Sequence, residues 1–411
     1  MSDRSLGAVP AATVTVRLSD GPATVTLRPD ATVLALGDAT VSSYDLCGRP
    51  YVLVRGESTF RRALDGRVLE KRPATGGEPR VRRRLDPAES PAALEPARSE
   101  AEAILRALAG AAGIPEEQGS ETRRRLEGIV AMDAAALAAD AGRFRATYGR
   151  VGVLPPDQYL ALVLQATQGC SWNACTFCDL YRGIPFHART VAEFAEHLVA
   201  VGTFFGDSLA LRRSVFIGDA NALCLPHDQL APLLALAGRL RSAAGGLFAF
   251  VDMWTGTRTS VEEYRDYARL GLRRVYVGLE TGDPGLLEWL RKPGSPGQAV
   301  DLVATLHAAE IGVGVIVLLG AGGERFREAH ALRTAGILSR MQLRDDDIVY
   351  FSELVEPEGA GYADRAAADG VQPLDPAALR EQRAAIASGF RPADPRRPPR
   401  RATYDLREFI Y

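Results

Sequence analysis

Cysteine is scarce in this chain, with five among 411 residues. They are Cys47, Cys170, Cys175, Cys178 and Cys224. An odd count with three crowded between 170 and 178 excludes a disulfide framework and suits a reducing compartment, where thiolates stay available for metal. Histidine is absent before His187, so metal chemistry in the first 150 residues would have to run without imidazole. Long apolar runs are missing too. No stretch reaches the roughly 18 residues that cross a bilayer, and the opening MSDRSLGAVPAATVTVRLSDG lacks the apolar core of a signal peptide, which predicts a cytoplasmic chain without membrane contact. Charge of one sign is not in excess: 49 Lys and Arg against 51 Asp and Glu leave a net −2, which speaks against a general nucleic-acid binder. At 46% hydrophobic and 24% charged, the composition is that of a globular protein of two domains, or of one domain with an extension.

Residues 1–72 read as a small antiparallel β module, with alternating or β-branched runs between Asp-Gly turns at Asp20-Gly21 and Asp65-Gly66. Residues 73–150 read as a linker and helical connector. The first part is rich in Pro, Arg and Glu, with Arg80, Arg82, Arg83 and Arg84 close together, and is expected to be solvated. From about residue 96, apolar residues at three- and four-residue spacing predict two helices.

Between 151 and 390 a strand-then-helix unit repeats. Short, nearly continuous apolar runs at 160–167, 214–219, 247–252, 274–280, 313–320 and 347–354 have the texture of parallel strands buried on both faces. Six such units fit an open barrel or a doubly wound sheet, and in both the ligand sits at the carboxyl ends of the strands. The Pro- and Arg-rich tail, 391–411, is expected to run extended through Arg401, with its final TYDLREFIY docking back on the body.

The segment GCSWNACTFCDLY follows the first strand of the repeat and gives Cys170, Cys175 and Cys178 as C-x4-C-x2-C. Three thiolates so close can reach three corners of one iron–sulfur cube and leave one iron open for chemistry. Two other readings stand beside this one. A zinc-stabilised interaction protein would recruit His187 as fourth ligand, and a [2Fe–2S] electron-transfer protein would recruit Cys224.

In this segment, and over roughly 155–355, the chain resembles the radical S-adenosylmethionine (radical SAM) superfamily. The family spacing is C-x3-C-x2-C with an aromatic before the last cysteine; Phe177 fills that place, and the first spacer is one residue longer here. The resemblance implies an α/β fold, a partial (β/α)6 barrel of the radical SAM type carrying the N-terminal β module and helical connector. It implies a [4Fe–4S] cluster held by Cys170, Cys175 and Cys178, with S-adenosyl-L-methionine chelating the free iron. It also implies a flavodoxin- or ferredoxin-type reductant, a 5′-deoxyadenosyl radical and a small-molecule substrate. By position, Gly218, Asp219, Ala220 and Asn221 would receive the methionine amine, with Asp219 as its carboxylate. Glu280 would serve the ribose or methionine end, or else cap the helix before Asp283-Pro284. Gly320, with Gly322 and Gly323, would be a close-approach loop beside adenine or ribose.

Asp252 and Trp254 after the third strand and Glu353 near the end of the sixth are expected to line the cavity, Asp252 and Glu353 as catalytic groups, with loop bracing as the alternative. His330 is expected to be a surface or packing residue. Too few cysteines remain for a second cluster, and a histidine-ligated cobalamin domain ahead of the barrel has no histidine to use.

Overall fold

The computed structural model describes residues 12–74, 80–240, 244–356, 359 and 361–411. The described residues form two compact units, one from those within 1–150, 200–212 and 410–411, the other from those within 151–199 and 213–409.

The first unit opens with eight strands, β1 (Ala12–Leu18), β2 (Gly21–Leu27), β3 (Thr32–Leu36), β4 (Thr40–Tyr44), β5 (Pro50–Arg55), β6 (Ser58–Arg62), β7 (Val68–Arg72) and β8 (Val81–Arg84). Each pairs antiparallel with the next in one sheet. The two Asp-Gly turns join β1 to β2 and β6 to β7; Gly21 and Gly66 take φ of +128° and +94° there, where a side chain would be strained. Period-two alternation puts Val14, Val16, Val25 and Leu34 on one face, and that face meets the apolar stripes of the helices that follow.

Those helices are α1 (Ser90–Leu108), α2 (Glu116–Val130) and α3 (Ala134–Tyr148). The sequence predicted two helices where three exist, because Asp133 stops one pattern and starts another: its carboxylate accepts the Ala136 N–H and caps α3. The basic stretch expected as solvated linker forms β8, pairing Val81–Arg84 with β7. Charged side chains suit an edge strand whose stability comes from backbone pairing, which composition does not reveal.

The second unit contains β9 (Leu162–Gln165), β10 (Thr167–Gln168), β11 (His187–Ala188), α4 (Val191–Phe205, ending in the first unit), β12 (Val215–Gly218), α5 (His227–Gly238), β13 (Leu247–Val251), α6 (Met253–Gly256), α7 (Val261–Arg269), β14 (Leu272–Glu280), α8 (Pro284–Trp289), α9 (Pro296–Ala308), β15 (Gly312–Leu319), α10 (Gly323–Arg340), β16 (Ile348–Glu353), α11 (Tyr362–Ala368), α12 (Pro376–Gly389) and β17 (Arg400–Thr403). Seven strands make one parallel sheet in the order β9-β12-β13-β14-β15-β16-β17. Order in space follows order in sequence, so there is no reversal point and the doubly wound alternative is excluded. All four residues of β12 are buried, as are Val275, Val277, Val313, Val315 and Val317, as a sheet covered on both faces requires.

The tail expected to be extended supplies the seventh strand. Arg400–Thr403 pairs with Ile348–Phe351, and Tyr404 behind it is buried. An edge strand tolerates a proline-rich approach and exposed arginines, so its composition imitates a linker. Among the described residues no helix is long and apolar enough to cross a membrane.

Candidate active site

The three cysteines lie on an excursion between β9 and α4 that is pinched at its base. There β10 and β11 pair Thr167 with Ala188 and Gln168 with His187. Gly169 opens the excursion at φ +72°, and a Cβ there would stand 2.9 Å from the carbonyl oxygens of Ile184 and Pro185, so the turn accepts only glycine.

Hydrogen bonds then fix the loop. Asn173, at φ +47°, donates its backbone N–H to Cys170 Sγ (3.3 Å) and its side-chain amide to the Tyr181 carbonyl (3.0 Å). The Arg182 guanidinium donates to the Cys175 carbonyl (3.0 Å). On the other side, the Trp172 indole donates to the Arg291 carbonyl (2.8 Å) and the Thr176 N–H to that of Leu290 (3.0 Å). Phe177 packs on a buried cluster that includes Leu286, Trp289 and Leu290. Thus Cys175 is flanked by two ties to the turn that ends α8.

That turn brings in a residue the sequence reading missed. Lys292 Nζ lies 3.3 Å from Glu280 Oε1, with side chains only 12% and 10% exposed. Burial pushes the Cys175 thiol up to about 12 against the opposing pull of the Lys292 ammonium, and Cys170 and Cys178 also act on it. Burial likewise raises the Cys178 thiol. A compositional signal for Lys292 was present: it and Lys71 are the only two lysines in 411 residues. In an otherwise arginine chain, a lysine beside Glu280 supplies a compact charge rather than a planar fork.

Glu280 is not the cap for α8. Asp283 is, accepting the Leu286 N–H at 2.8 Å.

The loop after β12 sits against the base of the cysteine excursion. Asp219 is 7% exposed; its oxygens accept the Gln165 amide (2.9 Å) and the Gly169 N–H (3.3 Å), and its own N–H donates to the Thr167 carbonyl (3.0 Å). Burial raises its carboxyl to about 7. The Gln165 N–H donates to His197 Nε2 (3.1 Å), and burial lowers that imidazole to about 4, keeping it neutral as the bond requires.

Two residues on, the Asn221 amide NH2 donates to Asp252 Oδ2 and to Thr255 Oγ1 (2.8 Å). This fixes the amide orientation and leaves Asn221 Oδ1 buried with no hydrogen-bond partner. Asp252 caps α6, its Oδ1 accepting the N–H groups of Trp254 (2.9 Å) and Thr255 (2.7 Å). Cys224 is raised by burial and lies in the electrostatic reach of Ser171, Cys170 and Asp252, nearer the trio than its place in the sequence suggests. Cys47 is in the first unit, its S–H donating to the Phe205 carbonyl (3.3 Å).

The loops after β15 and β16 are occupied differently. Gly320 N–H donates to Gln382 (2.9 Å) and Gly322 N–H to the Tyr362 hydroxyl (2.9 Å). A Cβ on Gly323 would fall 2.0 Å from the Gln372 carbonyl oxygen, so the close approach there is between protein segments. Glu353 pairs with Arg407 at 3.2 Å, both side chains about half exposed. His330 is a packing residue, with Nδ1 2.6 Å from Thr281 Oγ1.

The donor set can be tested against an iron–sulfur cube. Three free thiols share one braced loop, one of them already accepting a backbone N–H, and a buried cation stands beside another. Among the described residues no three His, Cys, Asp or Glu side chains group around a single metal ion. A cube spreads its ligands over separate irons and needs no such convergence. His187, the fourth ligand a zinc site would want, faces Glu193 at 3.1 Å. Thiolates with an orphaned acceptor nearby fit a cube with one open corner; a closed zinc site is not supported.

Comparison with known proteins agrees with the motif. Residues 164–335 match the Radical SAM superfamily. Similar solved structures include the radical S-adenosylmethionine methyltransferase TsrM from Kitasatospora setae with cobalamin and a [4Fe–4S] cluster bound (15% identity, TM-score 0.40, 61% of this chain and 56% of that one). Coproporphyrinogen III oxidase (HemN) from Escherichia coli, a radical SAM enzyme, shows 14% identity and TM-score 0.40 over 60% of this chain and 55% of that one. Methylornithine synthase (PylB) shows 14% identity and TM-score 0.37 over 73% and 80%. The chain thus spans little more than half the length of the first two. No curated protein sequence matches it. The likeness of this chain to the Radical SAM superfamily thus lies in residues 164–335.

Proposed function

We propose that this chain binds a [4Fe–4S] cluster through Cys170, Cys175 and Cys178, takes S-adenosyl-L-methionine at the open iron, and starts radical chemistry on a small molecule. The observation that carries this reading is the braced three-thiol loop at the carboxyl end of β9, next to an unused buried acceptor at the end of β12. When bound, the cluster and its co-substrate supply one-electron cleavage of a C–S bond to a 5′-deoxyadenosyl radical, with the electron coming from a flavodoxin- or ferredoxin-type reductant. Everything else falls to the protein, which must position the groups and exclude water and stray hydrogen donors.

The residues divide that work as follows. Asn221 Oδ1 accepts from the methionine ammonium, since it is a buried acceptor without a partner after β12, whereas both oxygens of Asp219 already hold Gln165 and Gly169. Asp219 is thereby a positioning residue for the cysteine loop, and Gly218 and Ala220 shape the backbone beside it. Lys292 offsets negative charge at the Cys175 corner, with Glu280 holding its ammonium in place. Asp252 braces Asn221 and the start of α6. Glu353 has the free surface to meet a substrate. Anaerobic reconstitution followed by mass spectrometry for 5′-deoxyadenosine tests the reading; its appearance is expected, and intact S-adenosylmethionine with two irons per chain would replace it with the electron-carrier alternative.

A further inference from the structure

The first unit contains a cavity of about 370 Å³ that the chemistry above does not use. Its apolar wall includes Tyr44, Leu85, Leu94, Ile129, Leu137 and Ala141, from the inward face of the sheet and from all three helices. Most charges on its lining are answered. Arg67 pairs with Asp65 (2.6 Å) and Arg98 with Glu95 (2.6 Å), while Arg145 is solvent-exposed and donates to the Asp65 carbonyl (2.9 Å).

Arg62 is the exception. It lines the cavity, is 8% exposed, and makes one hydrogen bond, to the Leu137 carbonyl at 3.0 Å. Among the described residues no carboxylate comes within the 4.0 Å that defines an ion pair with it. The contrast with Arg49 in the same unit is direct. Arg49 is equally buried, but Asp45 (3.3 Å) and Asp140 (2.9 Å) neutralise it. Asp140 is also bound to Arg143 (2.8 Å), and it acts on Arg62, as Asp45 and Asp65 do, only from beyond ion-pair distance, while burial dominates and lowers the Arg62 guanidinium.

A guanidinium does not escape burial by losing its proton, so one without a carboxylate in direct contact is costly unless something else brings the anion. We propose that this cavity is a binding site for a small amphiphilic monocarboxylate, with the carboxylate on Arg62 and the hydrocarbon body against the apolar wall. The volume lies within the usual range for small-ligand sites. The planar fork matches a carboxylate in two-point geometry, and with Arg67 and Arg98 already paired to Asp65 and Glu95, Arg62 is the one buried arginine of the lining left for an anion, which favours one negative charge over the two of a phosphate ester.

Calorimetric titration of the full chain with decanoate, decanol and decyl phosphate tests this. Decanoate is expected to saturate at one per chain and to bind at least about tenfold tighter than the other two, the factor a charge-assisted pair supplies. Arg62→Met should erase the preference for carboxylate over alcohol without lowering the melting temperature, because it removes an unpaired buried charge. Ala138→Leu, an exposed substitution at the lining, should weaken decanoate binding and leave melting unchanged. The proposal is overturned by no saturable decanoate binding, by equal affinity for decanol, by tighter binding of decyl phosphate, or by an Arg62→Met variant that melts several degrees lower, which would make Arg62 a structural group.

Discussion

The loops after β9, β12 and β14 and the loops after β15 and β16 belong to one sheet, yet they spend their polar groups differently. On the first side, Asn173 and Asp219 hold the loop of three free thiols, Lys292 pairs with Glu280, and Asn221 bonds Asp252 and Thr255 while leaving an acceptor open. On the second, Gly320 and Gly322 give their N–H groups to Gln382 and Tyr362, and Gly323 is closed over by Gln372. Both sides carry the glycines and carboxylates that sequence inspection associates with a cofactor. What separates them is the kind of group left over, an acceptor, Asn221 Oδ1, on the first side and a donor, Gln382 Nε2, on the second.

The largest effect expected from breaking this contrast is at the thiols. Cys170→Ala, Cys175→Ala and Cys178→Ala should each reduce 5′-deoxyadenosine formation to background, with iron measured on the folded fraction because cluster assembly also shapes the loop. Cys47→Ala and Cys224→Ala should keep the full iron complement. Loss of half the iron in the Cys224 variant would make it a ligand.

Next comes Lys292. Removing one partner of a buried pair leaves the other charge unanswered, so Lys292→Met should cost about 3 to 5 kcal/mol in denaturant unfolding. The double change with Glu280→Gln should recover most of it. Equal losses in single and double variants would show that the pair is not coupled.

Two glycines sharpen the comparison further. Gly169→Ala and Gly323→Ala both place a Cβ against backbone oxygen at positive φ, and each should cost about 1 to 3 kcal/mol. Only the first should lower iron content, as judged by iron and sulfide analysis, because only it lies in the thiol loop.

Much of this was readable in the sequence. The three cysteines, the parallel strands and the Asp-Gly hairpins announce themselves through spacing and period, which are local properties. β8 and β17 did not, since Arg82–Arg84 and Arg400–Arg401 read as solvated chain and become strands only through a neighbour's backbone. Asp219 was legible as a buried carboxylate at a strand end. Its engagement with Gly169, fifty positions earlier, is a tertiary fact. Lys292 was visible as a rare residue type, but nothing in the sequence says that Thr176 ties to Leu290 and brings it beside Cys175.

A last expected effect is a slope. Asp219 is raised from an ordinary value of 3.8 to about 7 by burial. A folded-state value above the unfolded one means stability that is complete below pH 4 and lost as pH climbs through 7. Melting temperature followed from pH 4 to 7 should fall less steeply in Asp219→Asn than in the parent, and parallel curves would show that this carboxyl does not titrate there.

The account rests on three thiolates, one open iron and a co-substrate cleaved there. The most direct measurement is a single-turnover assay: anaerobically reconstituted protein, dithionite and S-adenosylmethionine, with iron, sulfide and 5′-deoxyadenosine quantified on the same sample. Four irons per chain with 5′-deoxyadenosine, both lost in Cys170→Ala, is the predicted result. Four irons and undiminished 5′-deoxyadenosine in the Cys170→Ala protein would contradict it, because the first ligand of the longer spacer would then lie elsewhere.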